Sequence, residues 1–272
     1  MKLLGLWDLT KESFTLGGML NLIVEVQCRA ETHPATAIDI CLLWDDAHPL
    51  PGGITTPTTP DMTLLAPENW QASAVVASMM EIEGISDFYT AGSLAQVRTF
   101  VQKNGGTYDI WPTLGADETH LDHEYPSTLN IQNFFRKHGY IPRIKFSPGT
   151  VERARAFLRD LVEPRRHVIV HAKSDPPAYG ERDTGIEEWV EFIRNRSHDL
   201  ETVFVAIGSD DVEEIRKLPN VIVARDSGND LPRDLALIQI GATFTGLASG
   251  PAQLAILGDR PYAVFKPMHV HP

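Results

Sequence analysis

The stretch Ala242-Thr243-Phe244-Thr245-Gly246-Leu247-Ala248-Ser249-Gly250-Pro251 indicates how the second half of the chain folds. A short apolar run ends at a glycine, small residues turn the chain, and Ser249 precedes a helix expected to reach Leu257. Such a turn lets a ligand approach the backbone, because the free amides at a helix start favour phosphate. An ordinary strand-to-helix turn with proline in the first helical turn explains the same residues equally simply.

Apolar and amphipathic runs alternate regularly from Arg165 to the end of the chain. We predict helices between five strands, which cover residues 167–171, 202–207, 220–224, 242–245 and 262–265. Ser209 is expected to cap one of these helices and Pro232 to start another. This alternation is typical of a parallel sheet whose strands are joined by crossover helices.

The first half of the chain predicts a second sheet of the same kind. Strands at 3–9 and 38–44 flank a helix that begins after Gly17 and Gly18. These elements form a βαβ unit with the glycine pair at its strand-to-helix turn. Proline, glycine and threonine are frequent at 47–67, which predicts an irregular loop there.

Little periodicity is visible between Gly105 and Pro126, and no regular element is predicted in that segment. We place the domain boundary where Ser147-Pro148-Gly149-Thr150 opens a helix. The domains are therefore expected to cover residues 1–149 and 150–272.

Composition narrows the classes of partner. The 272 residues carry a formal charge of -12, so the average field repels nucleic acid and anionic lipid. No stretch approaches the roughly 20 apolar residues of a membrane span, and no signal peptide is recognisable, which predicts a cytoplasmic protein. Cys28 and Cys41 lack metal-ligand spacing and are expected to be packed free thiols. The oligomeric state is not predicted.

Candidate binding residues follow several strands of the second half. His171 and Lys173 end the first of them, and Arg182 lies beyond a proline-rich loop. Ligands of open α/β sheets bind at the carboxyl ends of strands, so these cations are placed to neutralise a diphosphate. Gly208 and Asp226 end two neighbouring strands and are candidates for contacts to a base or ribose. Alternatively, the cations are solvated loop charges, His171 is a satisfied polar residue at a strand end, and Gly208 is structural.

These motifs together resemble the donor-binding half of glycosyltransferases of the GT-B fold, most of all fucosyltransferase-type and heptosyltransferase-type enzymes. The resemblance is carried by strand-His171-x-Lys173, Ile207-Gly208, Asn220-Val221-Ile222, Asp234-Leu235-Ala236-Leu237-Ile238 and Gly246-x-x-Ser249-Gly250-Pro251. The opening unit with Gly17-Gly18 is similar to the first βαβ unit of the acceptor half in that fold.

The resemblance implies an α/β protein of two Rossmann-like domains, with parallel sheets facing each other across a cleft. It implies a nucleotide-sugar held mainly by the second domain, an acceptor in the cleft and no cofactor or metal, because amides and cations stabilise the departing diphosphate. Lys173 or Arg182 would then contact the diphosphate, and Asp226 would lie near the nucleoside. The diphosphate cradle would consist of Gly246, Ser249, Gly250 and Pro251.

Two departures from the family pattern stand out. Fucosyltransferase-like members place arginine where this chain has Lys173. The resemblance also implies final helices that cross back to the first domain, whereas this sequence ends at His269-Val270-His271-Pro272.

The general base of such a transfer is expected in the first domain. Asp8 and Glu12, just after the first strand, are the first candidates. His120, Asp122 and His123 are the second, with His120 and His123 also expected near the acceptor. The same cluster could also suggest a metal site. Its residues do not have the i,i+4 spacing of metal ligands on one helix face, so a solvated polar loop is the favoured interpretation.

We therefore expect a metal-independent glycosyltransferase of hexosyl or deoxyhexosyl type, which transfers sugar from a nucleotide-sugar to an unidentified glycan or small-molecule acceptor. A nucleotide-sugar epimerase on the same scaffold is one alternative. A non-catalytic nucleotide- or sugar-binding protein is another, because one fold hosts many functions.

Overall fold

The protein is described from a computed structural model, which covers residues 1–33, 35–54, 61–71, 73–114, 128–161, 166–173, 186–196, 199, 201–210, 212–228 and 230–265. The chain divides into two compact units, Met1–Lys145 and Phe146–Pro272. The sequence predicted this division after Gly149. Because the second unit begins at Phe146, the turn at Ser147 and Pro148 that opens the next helix belongs to it. None of the helices in the described ranges is long and apolar enough to cross a membrane.

The described part of the first unit contains five strands and five α-helices. The strands are β1 (Lys2–Asp8), β2 (Ala37–Leu43), β3 (Thr63–Leu64), β4 (Ile85–Ala91) and β5 (Tyr108–Trp111). The helices are α1 (Leu16–Thr32), α2 (Pro67–Trp70), α3 (Ala74–Met80), α4 (Leu94–Lys103) and α5 (Thr128–His138).

The first sheet has the strand order β3-β4-β2-β1-β5. All neighbouring strands are parallel except β3, which pairs antiparallel with β4. The first sheet is therefore mainly parallel, as predicted, with one short antiparallel strand at its edge. The two residues of β3 come from the segment predicted as an irregular loop, and such an edge strand needs no crossover helix to pair antiparallel.

Close packing of α1 on β1 explains two glycines. A Cβ at Gly5 would lie 2.9 Å from Val26 Cγ2, so a larger residue would push α1 off the sheet. A Cβ at Gly18 would lie 2.4 Å from the ring of Trp7. Thr15 caps this helix, since its Oγ1 accepts a hydrogen bond of 3.1 Å from the Gly18 amide. The helix thus begins directly above the carboxyl end of β1.

Strand β5 lies where no regular element was predicted. It has only four residues, all half-buried, so it lacks the buried apolar run that identifies a strand in sequence. Its pairing with β1, which matches Lys2 with Tyr108 and Gly5 with Trp111, supplies the ladder. Tertiary pairing therefore determines this strand.

The described part of the second unit also contains five strands and five α-helices. The strands are β6 (Arg166–His171), β7 (Thr202–Ala206), β8 (Val221–Val223), β9 (Thr243–Leu247) and β10 (Tyr262–Phe265). The helices are α6 (Pro148–Leu161), α7 (Ile186–Arg196), α8 (Glu213–Arg216), α9 (Leu231–Ile240) and α10 (Gly250–Ile256).

The second sheet is entirely parallel, with the order β10-β9-β6-β7-β8. The chain moves outward from β6 through β7 to β8, then returns to the other side of β6 as β9 and β10. The direction of winding therefore reverses between β6 and β9. In open α/β sheets this topological switch point is where ligands bind.

Helix α8 begins later than the sequence predicted. It starts at Glu213, and its N-cap residue Val212 makes no side-chain capping bond, so Ser209 does not cap it. Arg225 explains the difference, because its Nη1 donates to the carbonyls of Ser209 and Asp210 at 2.7 and 2.6 Å. This tertiary contact holds the end of the β7 loop in a non-helical conformation.

Candidate functional site

The switch point of the second unit brings two strand ends together. His171 is the last residue of β6 and pairs with Gly246 of β9. His171 is 6% exposed, so the imidazole is almost completely withdrawn from water. Ser249 follows β9 and begins α10. His171 and Ser249 were predicted as donor-site residues from separate parts of the sequence. The structure brings them together at the edge where the sheet reverses its winding.

Ser249 connects this edge to the helix that follows it. Its Oγ accepts a 3.3 Å hydrogen bond from the Ala252 amide and donates to the Leu247 carbonyl at 3.0 Å. His171 Nδ1 lies 3.0 Å from the same oxygen. The hydroxyl therefore caps α10 and contacts the imidazole of His171, which holds the ring at the end of β6.

Gly246 lets the strand end pack around this histidine. A Cβ at this position would lie 2.8 Å from Phe244 Cζ and 3.0 Å from the His171 carbonyl oxygen. No side chain fits there without displacing the strand. Gly250 and Pro251 form the first turn of α10 and are half-buried.

Gly208 forms the other side of the His171 ring. It adopts φ +96°, a left-handed conformation that favours glycine. A Cβ here would lie 3.0 Å from His171 Cδ2 and 3.1 Å from Nε2. The backbone after β7 therefore runs directly against the imidazole, and Asp210 Oδ2 lies 3.9 Å from Nε2.

Asp234 is a site residue that was not predicted as one. Its Oδ2 accepts a 2.9 Å hydrogen bond from the Gly208 amide, which fixes the loop beside His171. Burial raises the pKa of Asp234 to about 7, although the Gly208 bond acts in the opposite direction. Its position at the start of α9 was visible in sequence, but its partner lies 26 residues away and could not be inferred.

The other residues predicted for the donor site are Lys173, Asp226 and Arg182. Lys173 lies two residues beyond β6 and is half-buried. Asp226 forms an ion pair of 3.0 Å with Arg216, at the side of the sheet where β8 ends. Arg182 lies outside the described residues.

In the first unit, Asp8 ends β1 at the corresponding switch between β1 and β5. It is 7% exposed, and its Oδ1 accepts from the Thr10 amide at 3.0 Å and the Thr10 hydroxyl at 2.7 Å. Glu12 is half-buried and donates its amide to the Asp8 carbonyl at 3.0 Å. The first turn of α1, with Gly17 and Gly18, begins shortly after them.

The second group of base candidates, His120, Asp122 and His123, lies outside the described residues. Across the ranges that are described, no group of three or more His, Cys, Asp and Glu side chains is arranged to hold a metal. Cys28 and Cys41 are buried and unpaired, as expected for packed thiols.

Two solved structures share this fold. One is a glycosyl transferase family 9 protein from Veillonella parvula, 10% identical, with 97% of this chain and 79% of that chain covered at TM-score 0.59. The other is the E. coli heptosyltransferase WaaC with ADP, 12% identical, with 97% and 86% covered at TM-score 0.51. The structural neighbours are thus glycosyltransferases of the GT-B fold, the fold that the sequence resemblance implied.

A third match is the α-1,6-fucosyltransferase NodZ soaked with GDP-fucose. It is 11% identical, with 94% of this chain and 92% of that chain covered at TM-score 0.43. A specific likeness to fucosyltransferases therefore stays a prediction. No protein-family model matches the chain, and no curated protein matches its sequence.

Proposed function

We propose that this protein is a glycosyltransferase whose nucleotide-sugar donor binds at the switch point of the second unit. One observation carries the proposal: buried His171, held by Ser249 and enclosed by Gly208, lies where the parallel sheet reverses its winding. The same fold occurs in a heptosyltransferase solved with ADP. Both named matches above TM-score 0.5 are transferases, and neither is an epimerase.

The donor site is formed around the carboxyl ends of β6 and β9. His171 is oriented by Ser249, and Asp210 Oδ2 lies 3.9 Å from its Nε2. Lys173 supplies charge from the loop after β6, and Arg182 is assigned to the same role from its position in the sequence. These cations stabilise the nucleoside diphosphate as it leaves. Asp226 is assigned to the nucleoside end.

In the transfer, a hydroxyl oxygen of the acceptor forms a bond to the anomeric carbon of the sugar. The bond between that carbon and the diphosphate oxygen breaks, and the electron pair leaves with the nucleotide. A carboxylate takes the hydroxyl proton. Asp8 is our first assignment because Thr10 holds its carboxylate at the end of β1, and Glu12 is the second. No metal is required by this scheme, and the acceptor is a glycan or small molecule.

A panel of nucleoside diphosphates tests the donor site. A ligand at a hundred times its Kd adds about 2.7 kcal/mol of stability, so a thermal-shift screen with ADP, GDP, UDP and CDP detects the preferred base. Lys173→Ala should raise the Kd of the preferred nucleotide about tenfold. Lys217→Ala is the matched control, since this exposed lysine pairs with Glu214 on α8.

Turnover separates the proposal from its alternatives. With the sugar nucleotide that binds, slow release of free sugar and nucleoside diphosphate supports transfer. A changed sugar that remains attached supports an epimerase, and binding without any turnover supports a binding protein. No response to any nucleotide contradicts both enzyme functions.

A further inference from the structure

A cavity of about 250 Å³ opens in the first unit between the second half of α1, α5 and β5. Because α1 runs back along the sheet from the carboxyl end of β1, this cavity lies away from Asp8. Its lining includes one buried carboxylate, an indole and two cations, from Glu25, Trp111, Arg29 and Lys137, with Asn130 and His138 beside them. The proposed transfer uses none of these side chains.

Glu25 is the unusual member of this group. It is 1% exposed and lies in the middle of α1, where a buried charge costs several kcal/mol unless it is compensated. Two donors meet at its Oε2: Trp111 Nε1 at 3.2 Å and Asn130 Nδ2 at 3.3 Å. They come from β5 and α5. The carboxylate is therefore held in a fixed position at the cavity wall.

Trp111 is held from a second direction. The Arg29 guanidinium lies 5.7 Å from the centroid of the Trp111 ring and bonds to Asp109 at 3.0 Å. A cation over an indole in this geometry is an attractive contact. The indole and the carboxylate thus form a preorganised wall, which lowers the cost of ordering side chains when a ligand binds.

The rim of the cavity is positive. Lys137 and His138 are exposed in the last turn of α5. They belong to a run without any Asp or Glu, residues 128–151, in a chain whose net charge is -12. Because Asp109 pairs with Arg29, the positive charge that this rim offers to an anion comes from Lys137.

We propose that this cavity binds a hydroxylated anion of monosaccharide size, with a phosphate or carboxylate group at the rim. Its hydroxyls donate to Glu25, the ring packs beside Trp111, and the anionic group pairs with Lys137. The volume is below the roughly 300–1,000 Å³ of sites for drug-sized ligands, so a single small ring fits. The residues of this cavity belong to the first unit, whereas those of the proposed nucleotide site belong to the second.

Calorimetry with four probes tests the proposal: a hexose phosphate, a hexuronic acid, the neutral hexose and inorganic phosphate. We expect the two hydroxylated anions to bind more tightly than the neutral sugar and inorganic phosphate. Lys137→Ala should weaken their binding about tenfold, the loss of one charge-assisted contact. Arg136→Ala is the matched control, because Arg136 is the preceding cation of α5 and does not line the cavity.

Glu25→Gln should weaken binding of the hydroxylated anions further, and circular dichroism shows whether this buried variant folds. Lys137 is exposed, so its variant keeps the test valid if Glu25→Gln does not fold. The proposal is overturned if no probe binds, if inorganic phosphate binds as tightly as hexose phosphate, or if the two α5 variants behave alike. Nucleotide affinity should be the same in Lys137→Ala and wild type, so failure here is distinguishable from failure of the donor site.

Discussion

His171 Nδ1 lies 3.0 Å from Ser249 Oγ, and this contact joins the ends of the two strands between which the second sheet reverses direction. The serine also caps α10 through the Ala252 amide. One side chain thus ties the orientation of the imidazole to the start of a helix. The proposed donor site depends on this link.

Ser249→Ala should separate capping from binding. Loss of the cap costs about 1 kcal/mol of unfolding free energy, and the freed imidazole should weaken nucleotide affinity several-fold. Ser93→Ala is the control, because Ser93 caps α4 by accepting from the Gln96 amide. Urea unfolding should show similar losses in both variants, whereas calorimetry should show weaker nucleotide binding only for Ser249→Ala. Equal nucleotide affinity in the two variants contradicts the assignment.

Gly208→Ala should destabilise the protein and disturb His171. Backbone strain at φ +96° costs about 1–3 kcal/mol, and the new methyl group would lie 3.0 Å from the imidazole. Gly84→Ala is the control, since φ is +88° there and no atom lies within 4 Å of the added Cβ. Thermal unfolding should show the larger loss for Gly208→Ala. Nucleotide binding that survives in Gly208→Ala would argue against a ligand beside His171.

Asp234 should make stability depend on pH. Its pKa is raised to about 7 by burial, so the folded protein binds this proton more tightly than the unfolded chain. The stability that protonated Asp234 adds to the folded state is fully present below about pH 4 and is lost as pH rises through about 7. Asp234→Asn keeps an acceptor for Gly208 and removes the titration. In denaturant unfolding from pH 5 to 8, the unfolding free energy of Asp234→Asn should rise relative to that of wild type, by on the order of 2 kcal/mol. Parallel stability curves would contradict this.

Asp8→Asn should abolish base function while leaving the donor site intact. Loss of a general base lowers the rate about 10²- to 10⁴-fold, and hydrolysis of the bound sugar nucleotide reports it. Thr10 can still bond to the amide oxygen, so folding should be preserved. Asp45→Asn is the control, an exposed acid just beyond β2 that bonds to His48. If Glu12→Gln shows the larger loss, the base is Glu12.

The sequence predicted the regular elements of the second unit well, because its three central strands are buried apolar runs and its cap at Ser249 is local. It failed where a distant residue decides the structure. Arg225 keeps Ser209 from capping a helix, and β5 exists because it pairs with β1. The role of Asp234 has the same origin, since the Gly208 amide is its partner. Local patterns hold the information for helices and caps, whereas these contacts arise only on folding.

The most direct measurement is a crystal structure of the protein with its preferred nucleoside diphosphate bound. We expect the diphosphate at the carboxyl ends of β6 and β9, with phosphate oxygens within hydrogen-bonding distance of His171 or Lys173 and of the first turn of α10. A nucleotide bound elsewhere on the chain, with the edge at His171 and Ser249 unchanged, would contradict it.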